Sequence, residues 1–350
     1  MTDYLIIGSG LAGIAFAELA LQSNKTIKVY ENHSQNSSTI AGGLYNPVIL
    51  KRFSEVWKSQ EQIDIVNHFY ARLEAKLSVA LDFKIPIYRR LYSVAEQNDW
   101  FVASDKPNLA PFLSTSINYN QYNGIDSPFG FGEVLQSGYV DTAMLLKKYQ
   151  HYLFEKELLV FETFEYGQLA IESTQIVYQG ASYKHVIFAE GFGLHSNPYF
   201  SRLPLDGTKG ELLIIKAPNL AVDVIVQSSV FIIPLGNHLF KVGATYNWED
   251  KTAIPTEEGK KELVDKLREL IHCDFEVVEH LAGVRPTVKD RKPMIGTHPK
   301  YARLHVLNGM GTRGVMLAPA MAKDLFEHLE FGKPIDPTVD IKRYKKISWD

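Results

Sequence analysis

The chain has 350 residues, 45% of them hydrophobic, with 37 basic and 40 acidic side chains and a formal charge of -3. This length accommodates one large core or two interleaved domains, and the near-balance of charge makes no global demand for a polyanionic partner. A single cysteine, Cys273, excludes an intrachain disulfide framework and a cysteine-rich metal site.

The first predicted strand, 3–8, runs through Tyr4-Leu5-Ile6-Ile7 into Gly8-Ser9-Gly10-Leu11-Ala12-Gly13, and a helix is expected over 11–22. No basic segment precedes Leu5, and Gly8 and Gly10 break the apolar run. No signal peptide is therefore expected, and the native N-terminus is expected near residue 1. A second strand, 26–30, ends at Glu31. Gly8 permits a tight turn, Gly10 lets the backbone approach a pyrophosphate, and Gly13 lets the helix lie close to the sheet. The first helical turn, with Leu11 and Ala12, offers free N–H groups and a favourable dipole to phosphates. Glu31, 21 residues beyond Gly10, suits a ribose diol. A glycine triplet alone is weak evidence; here the flanking strands, helix and acid agree on a dinucleotide, with a purely structural glycine turn as the alternative. His33 is expected on a surface loop, with contact to an adenosine as the alternative.

Residues 38–50 carry a second glycine pair, Gly42-Gly43-Leu44, in a segment more apolar than an ordinary surface loop. It reads as a buried turn or a loop packed against the cofactor. Lys51 and Arg52 follow it, as a solvated charge pair or as support for negative charge. A helix is expected over 56–79, with Ile63, Val66, Phe69, Leu73 and Leu77 forming a one-sided apolar stripe. Strand-like pieces are expected near 87–94 and 100–103, a helix over 139–156, and short strands over 158–164, 168–171 and 175–178. Another buried strand spans 183–189 and ends in Ala189-Glu190-Gly191.

Four antiparallel strands are expected at 210–216, 222–227, 230–235 and 238–244, separated by Pro218, Asn219, Gly236 and Asn237. An amphipathic helix over 256–272 places Leu263, Leu267 and Leu270 on its apolar stripe. Cys273 is expected to be an inert residue at its end. His298 and His305 lack the acidic neighbours of a ligand set, so no metal site is expected. Near the end, strand 304–307, the turn Gly309-Met310-Gly311-Thr312-Arg313-Gly314 and helix 315–329 repeat the opening pattern, with Pro319 read as lying in the first helical turn. No uncharged apolar stretch reaches about 18 residues, so no membrane span is expected. The cysteine usage points to a reducing, cytoplasmic setting.

These segments together resemble the FAD-dependent amine and D-amino-acid oxidoreductase superfamily, particularly glycine and sarcosine oxidases. The resemblance rests on Gly8–Gly13 with Glu31, on Gly42–Pro47, on Gly283-Val284-Arg285-Pro286, on Asp290–Gly296 and on Gly309–Ala318. It covers nearly the whole chain. Gly43-Leu44-Tyr45 and the run from Gly311 to Pro319 also look like the FAD oxidoreductase domain of the bacterial enzyme that modifies the tRNA wobble uridine.

The resemblance implies FAD and an α/β fold. A discontinuous Rossmann-like FAD-binding domain (1–83, 137–195 and 281–350) would carry a second, mainly antiparallel β-sheet substrate domain (84–136 and 196–280). It implies that Gly8, Gly10, Leu11, Ala12, Gly13 and Glu31 hold the ADP part. Gly42, Gly43 and Leu44 would lie near the flavin, with Gly309, Gly311, Thr312, Arg313 and Gly314 at its pyrimidine side. Arg285 falls where the oxidases bind the substrate carboxylate, and its planar fork suits that task; an ion pair with Asp290 or another acid is the structural alternative. Phe231 stands where a substrate-binding tyrosine is common, so an apolar wall replaces a hydroxyl. Tyr246 is a nearby alternative hydroxyl.

The implied reaction is oxidation of the C–N bond of a carboxylate-bearing amine, such as an amino acid or N-substituted glycine, by flavin-centred chemistry with no catalytic side chain assigned. Oxygen or another electron acceptor would complete it. A carboxymethylaminomethyl group on tRNA is the alternative substrate, and a non-catalytic flavin-binding redox sensor is the alternative class.

Overall fold

The computed structural model describes residues 1–349. Among them the strands form two eight-stranded sheets and two small ones. The first large sheet is built on Thr2–Ile7, whose last four residues are fully buried because it lies between two parallel neighbours. Ile27–Tyr30 pairs on one side and Ala181–Phe188 on the other. The second half of Ala181–Phe188 pairs in parallel with Leu304–Asn308, while its first half pairs antiparallel with Ile176–Tyr178. The helix Leu11–Gln22 follows the first strand and is buried on most of its circumference. It lies between the sheet and the last helix, Gly314–Phe331; Leu11 packs against Gly314.

The second sheet runs in the order Glu276–Arg285, Thr208–Lys216, Leu239–Gly243, Phe231–Gly236, Ile225–Gln227, Ile87–Arg90, Phe131–Val134, Leu113–Asn118. Every pairing is antiparallel except Ile225–Gln227 with Ile87–Arg90. That single parallel pairing joins two stretches far apart in sequence into one surface. Helix Glu257–Arg268 covers one face with Leu263 and Leu267, and Leu270 just beyond its end is also buried. Thr256 caps it, accepting from the Gly259 N–H at 3.1 Å. The Glu276–Arg285 strand runs unbroken through residues 280 and 281 and so carries Arg285 to the meeting point of the two sheets.

Two local expectations are corrected. Residues 100–103 are not a strand; they lie in helix Val94–Ser104. The aromatic and β-branched run Trp100-Phe101-Val102 favours a strand by propensity. Ser93 overrides it by accepting from the Glu96 N–H at 3.2 Å, and the helix buries Trp100 and Ala103 on one side. Pro319 is also not in a first turn, because its helix begins at Gly314 and Pro319 lies inside it. Proline has no N–H for the carbonyl four residues back, which is that of Val315. The hydroxyl of Tyr70, from helix Ser59–Leu77, donates to this carbonyl at 2.9 Å in a fully buried setting.

Tyr70→Phe is therefore expected to leave a buried carbonyl without a donor and to cost about 1–3 kcal/mol. Denaturant unfolding checks this: a midpoint unchanged from the parent would mean that the Val315 carbonyl finds no benefit in the tyrosine.

Candidate active site

The strands Thr2–Ile7, Ala181–Phe188 and Leu304–Asn308 are mutually parallel, so their C-terminal ends share one edge of the sheet. A cavity of about 710 Å³ opens there and extends to the second sheet. Gly8 turns the chain with φ +96°, and a methyl on it would lie 2.5 Å from the Ala189 carbonyl oxygen. A methyl on Gly13 would lie 1.9 Å from the Gly8 carbonyl oxygen. The helix thus approaches the strand at a distance only glycine allows. Gly13 packs behind the cavity rather than lining it, while Gly8, Gly10, Leu11, Ala12 and Glu31 do line it.

The Glu31 carboxylate braces the turn. One oxygen accepts from the Ser9 N–H at 2.7 Å and the Ser9 hydroxyl at 2.8 Å; the other accepts from the His33 N–H at 2.7 Å. Gln150 donates to the same Ser9 hydroxyl at 2.8 Å. At the helix N-terminus the Leu11 N–H donates to Ser38 Oγ at 3.2 Å, so a hydroxyl from the next loop stands where the helix dipole favours an anion. His33 stacks on Phe161 at 4.9 Å on the rim.

The Gly42–Leu44 segment forms the floor between the two sheets, and all three residues line the cavity. Asn36 donates to the Ala282 carbonyl at 3.1 Å, and Lys241 donates to the Ala41 carbonyl at 3.2 Å. Burial lowers the Lys241 pKa, and nearby Asp141 and Glu279 oppose that shift. The ring tip of Phe231 is held between two glycines: methyls on Gly42 and Gly243 would lie 2.9 and 2.7 Å from its Cζ. It presents an apolar wall.

The late turn also lines the cavity, through Gly311, Thr312, Arg313 and Gly314; Gly309 packs against Val288 instead. Asn308 fixes it, donating to the Gly191 carbonyl at 2.9 Å and accepting from the Gly309 N–H at 2.7 Å. The Gly311 N–H donates to the Pro286 carbonyl at 3.0 Å, which joins this turn to the end of the Arg285 strand. Arg313 Nη1 is buried with no hydrogen-bond partner.

Arg285 lies flat over Gly210, where a methyl would sit 1.9 Å from its Nη2. Its Nη1 donates to the carbonyl of Thr245 at 3.2 Å, and the Tyr246 ring covers the guanidinium at 4.6 Å. Burial lowers its pKa, and Tyr246 partly opposes the shift. No carboxylate pairs with it among the described residues. Asp290, the alternative partner, instead accepts from Arg343 at 3.0 Å. Tyr246 itself is exposed at the cavity mouth.

Other residues singled out from the sequence lie elsewhere. Lys51 and Arg52 are exposed and do not line the cavity. His305 is buried between His185 Nδ1 and Thr297 Oγ1, each at 2.9 Å, and His298 accepts the Lys300 N–H at 3.1 Å. Cys273 follows the helix end at some distance, and burial raises its thiol pKa. Ser38, Gln150, Glu190 and Asn308 were not singled out. Each has a partner distant in sequence (Leu11, Ser9, Tyr166 and Gly191 respectively), and no local pattern announces these pairings.

Glu190 is the chemically distinctive member of this group. Burial pushes its pKa up to about 7, against hydrogen bonds from the Tyr166 hydroxyl and from Asn197 Nδ2. The Asn197 bond is 2.7 Å.

The sequence profile described as FAD dependent oxidoreductase (DAO) matches residues 3–328. Glycine oxidase of Bacillus subtilis (strain 168) is 23% identical over 340 residues, 91% of this chain and 90% of that protein. The tRNA 5-methylaminomethyl-2-thiouridine biosynthesis bifunctional protein MnmC of Campylobacter jejuni subsp. doylei is 22% identical over 299 residues. That match covers 83% of this chain and 45% of that protein. The crystal structure of glycine oxidase from Geobacillus kaustophilus shares the fold with a TM-score of 0.75 at 18% identity, over 97% of this chain and 98% of that one.

The raised pKa of Glu190 has a thermodynamic sign. The folded protein holds this proton up to about pH 7, whereas the unfolded chain releases it near the ordinary 4.5. Its contribution is full below the unfolded value and is lost as pH rises through 7, at most about 3 kcal/mol. Glu190→Gln, which keeps the shape and removes the titration, is expected to be more stable than the parent at pH 8. Denaturation of the cofactor-free protein between pH 5 and 8 tests this; identical pH profiles would refute it.

Proposed function

The chain belongs to the FAD dependent oxidoreductase family, and from that premise we propose that it oxidises the C–N bond of a carboxylate-bearing amine, such as an amino acid or an N-substituted glycine. The observation that carries the reading is Arg285. A guanidinium held by backbone carbonyls and an aromatic face, with no acid partner among the described residues, is a ready bidentate site for a carboxylate.

The residues fit the cofactor of the family. The bare turn from Gly8 to Gly10 at a helix N-terminus suits a pyrophosphate, and a side chain at Gly8 would collide with Ala189. Glu31 stands at the adenosine side, where its Oε1 accepts a single protein hydrogen bond and has a lone pair left for a ribose hydroxyl. Gly42, Gly43 and the 311–314 turn would hold the ring system near Phe231. When bound, FAD supplies the two-electron oxidising capacity of the reaction.

The side chains position rather than attack. Arg285 fixes the substrate carboxylate and so orients the adjacent C–N bond. Phe231 closes one side with an apolar face. The acids lining the cavity, Glu31, Glu162 and Glu190, belong to the end around Gly8, so none stands beside Arg285 as a base. The amine therefore enters neutral. Loss of two electrons and two protons gives an imine, which water cleaves to a carbonyl acid and a smaller amine. The likeness to the Campylobacter protein supports a second reading, in which the amine is a carboxymethylaminomethyl group on tRNA.

FAD-loaded protein incubated with N-alkylglycines is expected to release glyoxylate and the corresponding primary amine, with dioxygen or an artificial electron acceptor. Arg285→Ala is expected to raise KM by about 10- to 100-fold, the weight of a charge-assisted hydrogen bond. Unchanged KM would remove Arg285 from the site. Turnover confined to tRNA bearing the modified uridine would favour the second reading.

A further inference from the structure

The cavity carries charge of both signs. Its charged lining residues are three acids, Glu31, Glu162 and Glu190, and two arginines, Arg285 and Arg313. Arg285 and Arg313 come from separate turns sewn together by the hydrogen bond from the Gly311 N–H to the Pro286 carbonyl. Neither guanidinium has an acid partner among the described residues, and Arg313 Nη1 is buried without any partner. Both are depressed in pKa by burial, and Tyr246 at the mouth opposes the shift at each. Arg291 adds like charge beside Arg313. A buried unpaired cation is costly unless a ligand supplies the counter-charge. A neutral amine with one carboxylate compensates one guanidinium and leaves the other.

We infer that the site is built for an amine with two carboxylates: Arg285 binds the one beside the reacting C–N bond, and Arg313 binds the second. This rests on the proposed oxidation of a carboxylate-bearing amine and narrows its substrate class to dicarboxylic amines. It also moves Arg313 from a flavin contact to a substrate contact.

Calorimetric titration of the FAD-loaded protein with thiodiacetate and with (methylthio)acetate tests it. The two acids differ in the second carboxylate, and neither carries an amine. The result is therefore independent of whether amines are turned over, which glyoxylate release reads separately. Thiodiacetate is expected to bind at least about tenfold more tightly. Arg313→Gln is expected to bring it to the affinity of the monoacid, and Arg313→Lys to retain part of the preference. Equal affinities in the parent protein would overturn the proposal, whatever the variants do. So would a preference that survives in Arg313→Gln, or loss of FAD from that variant with the preference intact.

Discussion

The approach of the first helix to the first strand sets the geometry of everything around the cavity. At Gly13 the helix lies so close to the Gly8 carbonyl that a methyl would sit 1.9 Å away. No rotamer change relieves a clash between a Cβ and a backbone oxygen, so this goes beyond ordinary overpacking, which costs about 1–3 kcal/mol. The contact places the helix N-terminus beside the ends of three parallel strands, the usual place for a ligand in an open α/β sheet. It also seats Leu11 against Gly314, so the first and last helices are positioned by the same crossing.

The second sheet contributes what the first lacks. The first sheet supplies the glycine turn and acidic side chains; the antiparallel sheet supplies Phe231 and Arg285, and the loop after its strand Leu239–Gly243 supplies Tyr246. The two are locked by the loop before Leu44, through Asn36 to Ala282 and Lys241 to Ala41. Arg285 is rigid for reasons visible around it. Gly210 lies beneath, the Thr245 carbonyl accepts at its edge, and the Tyr246 ring covers it. A preorganised guanidinium loses little entropy on binding an anion.

Local patterns made much of this legible in the sequence. The helix Leu11–Gln22 and the buried stripe of Ile63, Val66, Phe69 and Leu73 follow from periodicity and glycine placement. The role proposed for Arg285 rests on resemblance, since no spacing rule marks it. The failures have equally local causes. Residues 100–103 read as a strand because propensity was weighed without the Ser93 cap. Pro319 was misplaced because one turn's uncertainty in a helix start decides whether proline is tolerated or needs a donor such as Tyr70. The braces of the site were illegible for a different reason: Gln150 reaches Ser9 across 141 residues. Such a contact exists only once the sheet order is fixed.

The central claim is that this cavity joins FAD to an amine held by its carboxylate. Anaerobic mixing of the FAD-loaded protein with carboxylate-bearing amines, followed by flavin absorbance, tests it most directly. The account predicts that the absorbance bleaches with such an amine and does not bleach with the same amine lacking the carboxylate. Full oxidised absorbance with every carboxylate-bearing amine, free or carried on tRNA, would contradict it.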